Sequence, residues 1–226
     1  MPAVYNKVVL DCEDFCEYDY LRAPNDLKVV TFKFLVIGDY GVGKTAIVRR
    51  YAEGRFSSNY KVTIGADFAV KSFFRDKNVK VNLQLWDIAG QERYGFMTRV
   101  YYKHAVGAVI VFDVSRMGTF KTLVKWLHDL REKVTLYDGS PIPVVLLANK
   151  CDINGSTVPT DLIRKFCREH NIDKWFSTSA KEDVNIDEAM NYLIDKALEV
   201  NHKETRCCDT ILLQGNSHSS GKCCFR

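Results

Sequence analysis

The chain has 226 residues, 46% of them hydrophobic, and a formal net charge of +4 from 32 basic and 28 acidic side chains. That length supports one well-buried domain plus tails, and so mild a charge argues against a nucleic-acid-binding protein. No apolar run approaches the ~18 residues of a membrane-spanning helix, and early acids interrupt any signal-peptide core, so a cytosolic chain is expected.

Residues 1–28 read as an acidic arm. The segment DCEDFCEYDY places Asp11, Glu13, Asp14, Glu17 and Asp19 among aromatics without a clear period, so it is expected to be flexible. A domain over 29–201 follows, in which strand and helix signals alternate. VVTFKFLVI (Val29–Ile37) is β-branched and aromatic, as strands are. A glycine loop, GDYGVGKT, leads into a helix that stops near Gly54. FAVKSFF and VKVNLQLW read as strands, as does VGAVIVFDV. The helix TFKTLVKWLHDLREKV carries the stripe Phe120, Leu123, Val124, Leu127 and Leu130, which reads as core. IPVVLLAN is a strand, a helix lies around Leu162–His170, and WFSTSA is a short last strand. The final helix opens on a capping box, Asn185 with Glu188. It buries Ile186, Ala189, Met190, Leu193, Ile194 and Ala197 at helical spacing. From His202 the periodicity is lost, and residues 202–226 read as a flexible tail. Six strands alternating with helices predict an α/β fold of three layers. Its mainly parallel sheet has helices on both faces, and ligand sits at the carboxyl ends of the strands.

The eight cysteines form no C-x-x-C pair and histidine does not cluster near them. Neither a zinc site nor a disulfide scaffold is expected. Cys151 reads as filler of a variable position, and His104 as an ordinary surface or packed histidine.

GDYGVGKT matches G-x-x-x-x-G-K-[ST] in the required context, after a strand and opening a helix. Backbone N–H groups of Asp39, Tyr40, Gly41, Val42 and Gly43, with the helix start at Lys44, Thr45 and Ala46, suit a phosphate chain. Lys44 is expected to reach the β- and γ-phosphates and the Thr45 hydroxyl to bind Mg²⁺. In LQLWDIAGQE, Asp87 is placed to hold Mg²⁺ through water. Gly90 can offer its N–H to the γ-phosphate, and Gln91 can orient the attacking water as the catalytic residue. The Thr63 hydroxyl in VTIG can complete the metal shell. In NKCD, the Asp152 carboxylate accepts two N–H bonds from guanine, a pair that adenine does not present, while Asn149 and Lys150 brace the loop. In TSAK (Thr178–Lys181), the Ala180 N–H can donate to guanine O6, flanked by Ser179 and Lys181. The four stretches in this order are far more specific than any one alone.

At this point the chain resembles the Rab family of Ras-superfamily small GTPases over about residues 29–200. IGADF (Ile64–Phe68), NLQLW (Asn82–Trp86) and ERYGFMTRVYYKHA (Glu92–Ala105) carry the likeness. WDIAGQERYGFMTRVYYKHAVGAVIVFDVSR, GSPIPVVLLANKCD and WFSTSAK are similar to the Rab thirty-two/thirty-eight branch, which serves lysosome-related and endosome-derived compartments. The resemblance implies a P-loop GTPase fold of the Ras type and a GTP/GDP switch with Mg²⁺. It implies a guanine contact at Phe56 and an effector surface including Ile64, with Phe68, Trp86 and Tyr101 as its aromatic triad. It also implies an exchange factor, a GTPase-activating protein, a GDP-dissociation inhibitor, an escort protein and GTP-state effectors. Residence on the cytoplasmic face of endomembranes, with a cytosolic pool, follows from the same likeness, as does prenylation at Cys223 and Cys224. Unmodified thiols are the simpler reading of Cys207 and Cys208.

Two other classes compete. A nucleotide kinase would need an acceptor site and a basic lid, and NKCD with TSAK argues for guanine instead. A GTP-binding scaffold with very slow hydrolysis is favoured by Tyr40, a bulky phenol where side chains are commonly small, and opposed by Gln91.

Overall fold

The computed structural model describes residues 8–10, 27–59, 61–91, 98–155, 157–172 and 174–211. Its strands are β1 (Val8–Leu10), β2 (Lys28–Ile37), β3 (Ala66–Asp76), β4 (Val79–Ile88), β5 (Gly107–Asp113), β6 (Val144–Asn149) and β7 (Lys174–Thr178). The helices are α1 (Lys44–Glu53), α2 (Thr98–Tyr102), α3 (Met117–Lys121), α4 (Leu123–Lys133), α5 (Thr160–Glu169) and α6 (Ile186–Ile211). They assemble on one sheet in the order β1-β3-β4-β2-β5-β6-β7. Only the β3–β4 hairpin is antiparallel among these pairings.

Alternation along β2 builds the two faces. Val30, Phe32, Phe34 and Val36 face α1 and α6, while Leu35 and Ile37 face α2 to α5. Strands β5 and β6 are buried on both faces, which explains their unbroken apolar runs. The six expected residues of the last helix are all buried. The six expected strands therefore form, covered by helices on both faces, in the α/β arrangement read from the sequence.

Five details differ. Val8–Leu10, inside the expected arm, pairs parallel with Val70–Ser72 as a seventh, edge strand. Helix α6 continues through residues 202–211, where a linker was expected. No glycine or proline interrupts 202–211, and propagating an existing helix is far cheaper than nucleating one. The single helix predicted after β5 is two, α3 and α4, joined at Thr122. Val124 is exposed, and Trp126 takes the buried place on that stripe, because Leu123, Trp126, Leu127 and Leu130 share one face at 3.6 residues per turn. Lastly, Asn185 and Glu188 do not make the expected capping box, and Asn185 is used otherwise. It adopts a left-handed conformation, which asparagine tolerates, and its side-chain amide donates to the Ser177 carbonyl at 2.7 Å.

Candidate functional site

The strand-to-helix turn after β2 carries Gly38–Gly43 to the carboxyl edge of the sheet and ends where α1 begins. Lys44, the first residue of α1, is almost fully buried. Its ammonium donates to the Gly38 and Asp39 carbonyls, each at 2.8 Å. Burial pushes its pKa down to about 8, against the pull of Asp87 and Asp39. A cation held inside a loop of glycines is poised to meet anionic oxygen.

Three oxygens meet beside it. The Thr45 hydroxyl lies 2.9 Å from that of Thr63 and donates a short hydrogen bond to Asp87 Oδ2, which is 3.5 Å from Thr63 Oγ1. Asp87 is buried, and its Oδ1 has no hydrogen-bond partner. Burial raises its pKa, and contacts from Thr45, Lys44 and Thr63 oppose that rise. An orphaned buried carboxylate oxygen is costly. Here it belongs to an all-oxygen group, which suits a hard divalent cation such as Mg²⁺. These residues could therefore hold the metal.

A second set of residues braces the loop from behind. Asn149, at the end of β6, donates to the Val42 carbonyl at 2.8 Å and accepts from Thr178 Oγ1 at 3.3 Å. Lys150 adopts a left-handed conformation and donates to the Gly41 carbonyl at 2.7 Å. Its ammonium also lies 2.8 Å from Asp113 Oδ2. Asp152 accepts the Ser179 hydroxyl at 2.6 Å, which joins the NKCD and TSAK loops. Ala180 is buried beside them, while Lys181 is exposed and pairs with Glu182 at 3.1 Å.

A cleft of about 580 Å³ runs along the loop. Tyr40, Gly41, Gly43, Lys44, Thr45, Ala46, Phe56, Thr63, Ile64, Gly90, Gln91 and Lys150 line it, so most of the expected nucleotide residues come together. Asp39 and Val42 do not line it. Val42 is fully buried, and the Asp39 carboxylate turns the other way. Asp152, Ser179 and Ala180 gather past Lys150, outside the cleft lining. Tyr40 lies at the rim with 70% of its surface exposed. Gln91 is exposed and lines the same cleft.

The aromatic group is partly assembled. Phe68 and Trp86 are cross-strand partners whose rings stack with centroids 6.0 Å apart. Lys33 Nζ lies 3.7 Å from the Trp86 ring centroid and donates to the Lys103 carbonyl at 2.9 Å. Tyr101 packs on the same helix-side core as Trp86, whereas Ile64 stands 88% exposed. Cys223 and Cys224 lie outside the described residues.

Sequence reasoning missed the outer supports of the loop. The Asp39 carboxylate accepts the Thr122 hydroxyl and the Trp126 indole N–H, each at 2.8 Å. Thr122 and Trp126 are four apart and so share a helix face, and a buried indole N–H demands a partner. That was the available signal. Arg116 donates to Asp113 Oδ2 at 3.0 Å and to the Tyr40 carbonyl at 3.2 Å. Burial pushes the Asp113 carboxyl up, yet Lys150 and Ser115 outweigh this and hold it below the ordinary range.

A strand, glycine loop and helix with a buried lysine, beside an all-oxygen cluster and a guanine-type Asn-Lys-x-Asp loop, defines a nucleotide-dependent switch protein. The family model described as "Ras family" matches residues 33–199. The chain is 57% identical to "Ras-related protein Rab-32" of Homo sapiens, over 76% of this chain and 76% of that one. It is 50% identical to "Ras-related protein Rab-32B" of Dictyostelium discoideum, over 88% and 79%. To "Ras-related protein Rab-7L1" of Homo sapiens it is 46% identical, over 85% and 97%. The chain belongs to the Ras family, as a Rab-type small GTPase near the Rab-32 proteins.

Proposed function

We propose that this Rab-type GTPase uses the site above to bind Mg²⁺ with GTP or GDP, and that it controls vesicle traffic on endosome- or lysosome-related membranes. The observation that carries the nucleotide reading is the meeting of Thr45, Thr63 and Asp87 oxygens beside Lys44. The Mg²⁺ would neutralise phosphate charge as it develops in the transition state. The loop amides and Lys44 bind and orient the phosphates. Asn149 and Lys150 hold the loop, and Asp152 with Ala180 reads guanine, with Ser179 and Lys181 completing that edge and Phe56 against the base. Gln91 orients the water.

Thr63 is borne on the connection between α1 and β3, and Gly90 on the connection after β4. The γ-phosphate gives both segments an anchor that hydrolysis removes, and a GTP-state effector then distinguishes the two forms at Ile64, Phe68, Trp86 and Tyr101. An exchange factor, a GTPase-activating protein, a GDP-dissociation inhibitor and an escort protein complete the cycle. Residues 29–201 hold the GTPase domain, with the 1–28 segment adding the edge strand Val8–Leu10 and α6 running on to Ile211 into the 202–226 tail.

The reading makes Asp152→Asn a decisive variant. Reversing one hydrogen-bond partner at the guanine edge is expected to shift preference from guanine to xanthine nucleotides. Competition binding of GDP, xanthosine diphosphate and ADP measures this, and ADP matching GDP on the wild type would sink the guanine assignment.

The tail is proposed to carry two prenyl groups, on Cys223 and Cys224. One lipid gives marginal membrane residence, and two give stable anchoring. The double change Cys223→Ser/Cys224→Ser is expected to move the protein into the soluble fraction of cells with GDP affinity unchanged. Undiminished membrane association of the double variant would refute the anchor.

A slowly hydrolysing form of the same switch is favoured by Tyr40, whose ring occupies the cleft rim. Crowding of the water or of Gln91 by a phenol is expected to cost ~1–3 kcal/mol of barrier, about tenfold to a hundredfold in rate. Tyr40→Gly is therefore expected to speed single-turnover hydrolysis while leaving GTP affinity similar. Equal rates would make the tyrosine a bystander.

A further inference from the structure

Arg50 lies near the end of α1, the helix that opens with Lys44 and Thr45, and its side chain is only 16% exposed. Its planar guanidinium serves three carbonyls. Nε donates to Ala180 O at 3.0 Å, Nη2 to Lys181 O at 3.0 Å, and Nη1 to Gly54 O at 2.9 Å. Asp183 Oδ1 is 3.9 Å from Nε. The first two contacts cross more than 100 residues of sequence. They tie the TSAK loop to the helix that carries the phosphate-binding lysine. A forked donor can grip two successive carbonyls at once, which the single ammonium of a lysine does less well.

The grip fixes peptide orientation. In a trans peptide the C=O and the following N–H point in opposite directions. Holding the Ala180 carbonyl toward α1 therefore turns the Lys181 N–H away from α1. The neighbouring peptide is fixed separately, because the Ser179 carbonyl accepts from the Val184 N–H at 3.0 Å, which sets the direction of the Ala180 N–H. With both flanking planes held, the loop presents its amides as a rigid donor edge. The carboxylate of Asp152 is fixed by a different bond, from the Ser179 hydroxyl at 2.6 Å.

We propose that Arg50 is a positioning residue for guanine selectivity, holding the Ala180–Lys181 turn so that its amides meet the oxygen at position 6 of the base. It does not act on the N1 and 2-amino edge, which belongs to Asp152. The proposal rests on the reading of the Ala180 amide as a base donor.

Three diphosphates separate the two edges. 6-Thioguanosine diphosphate chiefly weakens the acceptor at position 6 and keeps the 2-amino group, inosine diphosphate lacks only the 2-amino group, and GDP has both. Affinities are measured on the full chain for wild type, Arg50→Met and Arg50→Lys. The wild type is expected to prefer GDP over both analogues. Arg50→Met is expected to cut the preference for GDP over the 6-thio analogue by roughly three- to tenfold, the scale of one net hydrogen bond, and to keep the preference over inosine diphosphate. Arg50→Lys, which keeps the charge and fewer bonds, is expected to fall between, and it also serves where the Met variant does not fold. Loss of affinity shared equally by all three diphosphates would make Arg50 a mere structural tie and overturn its role in selectivity. A wild type indifferent to the 6-thio change would instead overturn the assignment of the Ala180 amide itself.

Discussion

Gly38→Ala is expected to destabilise the protein by about 4 kcal/mol or more, among the largest effects a single methyl group produces. Gly38 leaves β2 with φ of 142°, a backbone region that side chains rarely adopt. A Cβ there would lie 2.2 Å from the Val111 carbonyl oxygen, well inside contact distance. That carbonyl belongs to β5, which is paired on both sides and buried on both faces, so the sheet has little freedom to move aside. At about 2–4 °C per kcal/mol for a domain of this size, thermal melting of the GDP-bound protein should drop by roughly 8–16 °C. Gly118→Ala is the matched control, because Gly118 lies in α3 with nothing within 4 Å of its added methyl. It should melt at or slightly above the wild-type temperature, since alanine favours helix. A Gly38 variant that melts with the wild type would refute the close packing of the loop on β5.

Gly90→Ala is expected to separate binding from chemistry. A Cβ at Gly90 would meet the Tyr40 nitrogen at 2.3 Å, the Asp39 carbonyl carbon at 2.6 Å and the Tyr40 Cα at 2.8 Å. All three are backbone atoms of the phosphate loop, whose own position is fixed by Lys44, Asn149, Lys150 and Arg116. The segment bearing Gly90 must therefore retreat, and Gln91 retreats with it. GDP affinity should change little, because the loop itself stays intact. Single-turnover GTP hydrolysis should fall by about a hundredfold or more, roughly 2.7 kcal/mol of barrier. Hydrolysis at the wild-type rate would show that the contact between Gly90 and Tyr40 is not used in the reaction.

What could be read in advance was whatever the chain writes locally. The phosphate loop, NKCD and TSAK are short runs whose backbone does the work, so their residue types are legible in order. The apolar spacing of Ile186, Met190, Leu193 and Ala197 likewise names its own helix face. The supports of the site were not legible, because each is a polar contact between distant segments. Asp39 and Trp126 are 87 positions apart, and Arg50 and Ala180 are 130 apart. The edge strand Val8–Leu10 was hidden for a related reason. A strand of three residues has no period of its own and exists through its partner β3. The break at Thr122 was hidden too, since the Thr122 hydroxyl is engaged by the Asp39 carboxylate 83 positions away.

Trp126 carries a spectroscopic consequence. Its indole is fully buried and its N–H points at a carboxylate of the phosphate loop. The emission energy of an indole follows the electric field across its rings, and a charged group bonded to the ring nitrogen is a strong source of that field. Any change of charge or position in the loop therefore reaches the chromophore through Asp39. Trp86, stacked on Phe68 beneath the Lys33 ammonium, sees a different part of the molecule, between β3 and β4. Of the three tryptophans, Trp126 reports on the phosphate loop and Trp86 on the exposed aromatic surface, while Trp175 on β7 adds a third signal. With Trp175 replaced by phenylalanine as the common background, selective replacement of either of the other two separates their signals, so that loading of the site and rearrangement of the surface can be timed against each other without an added dye.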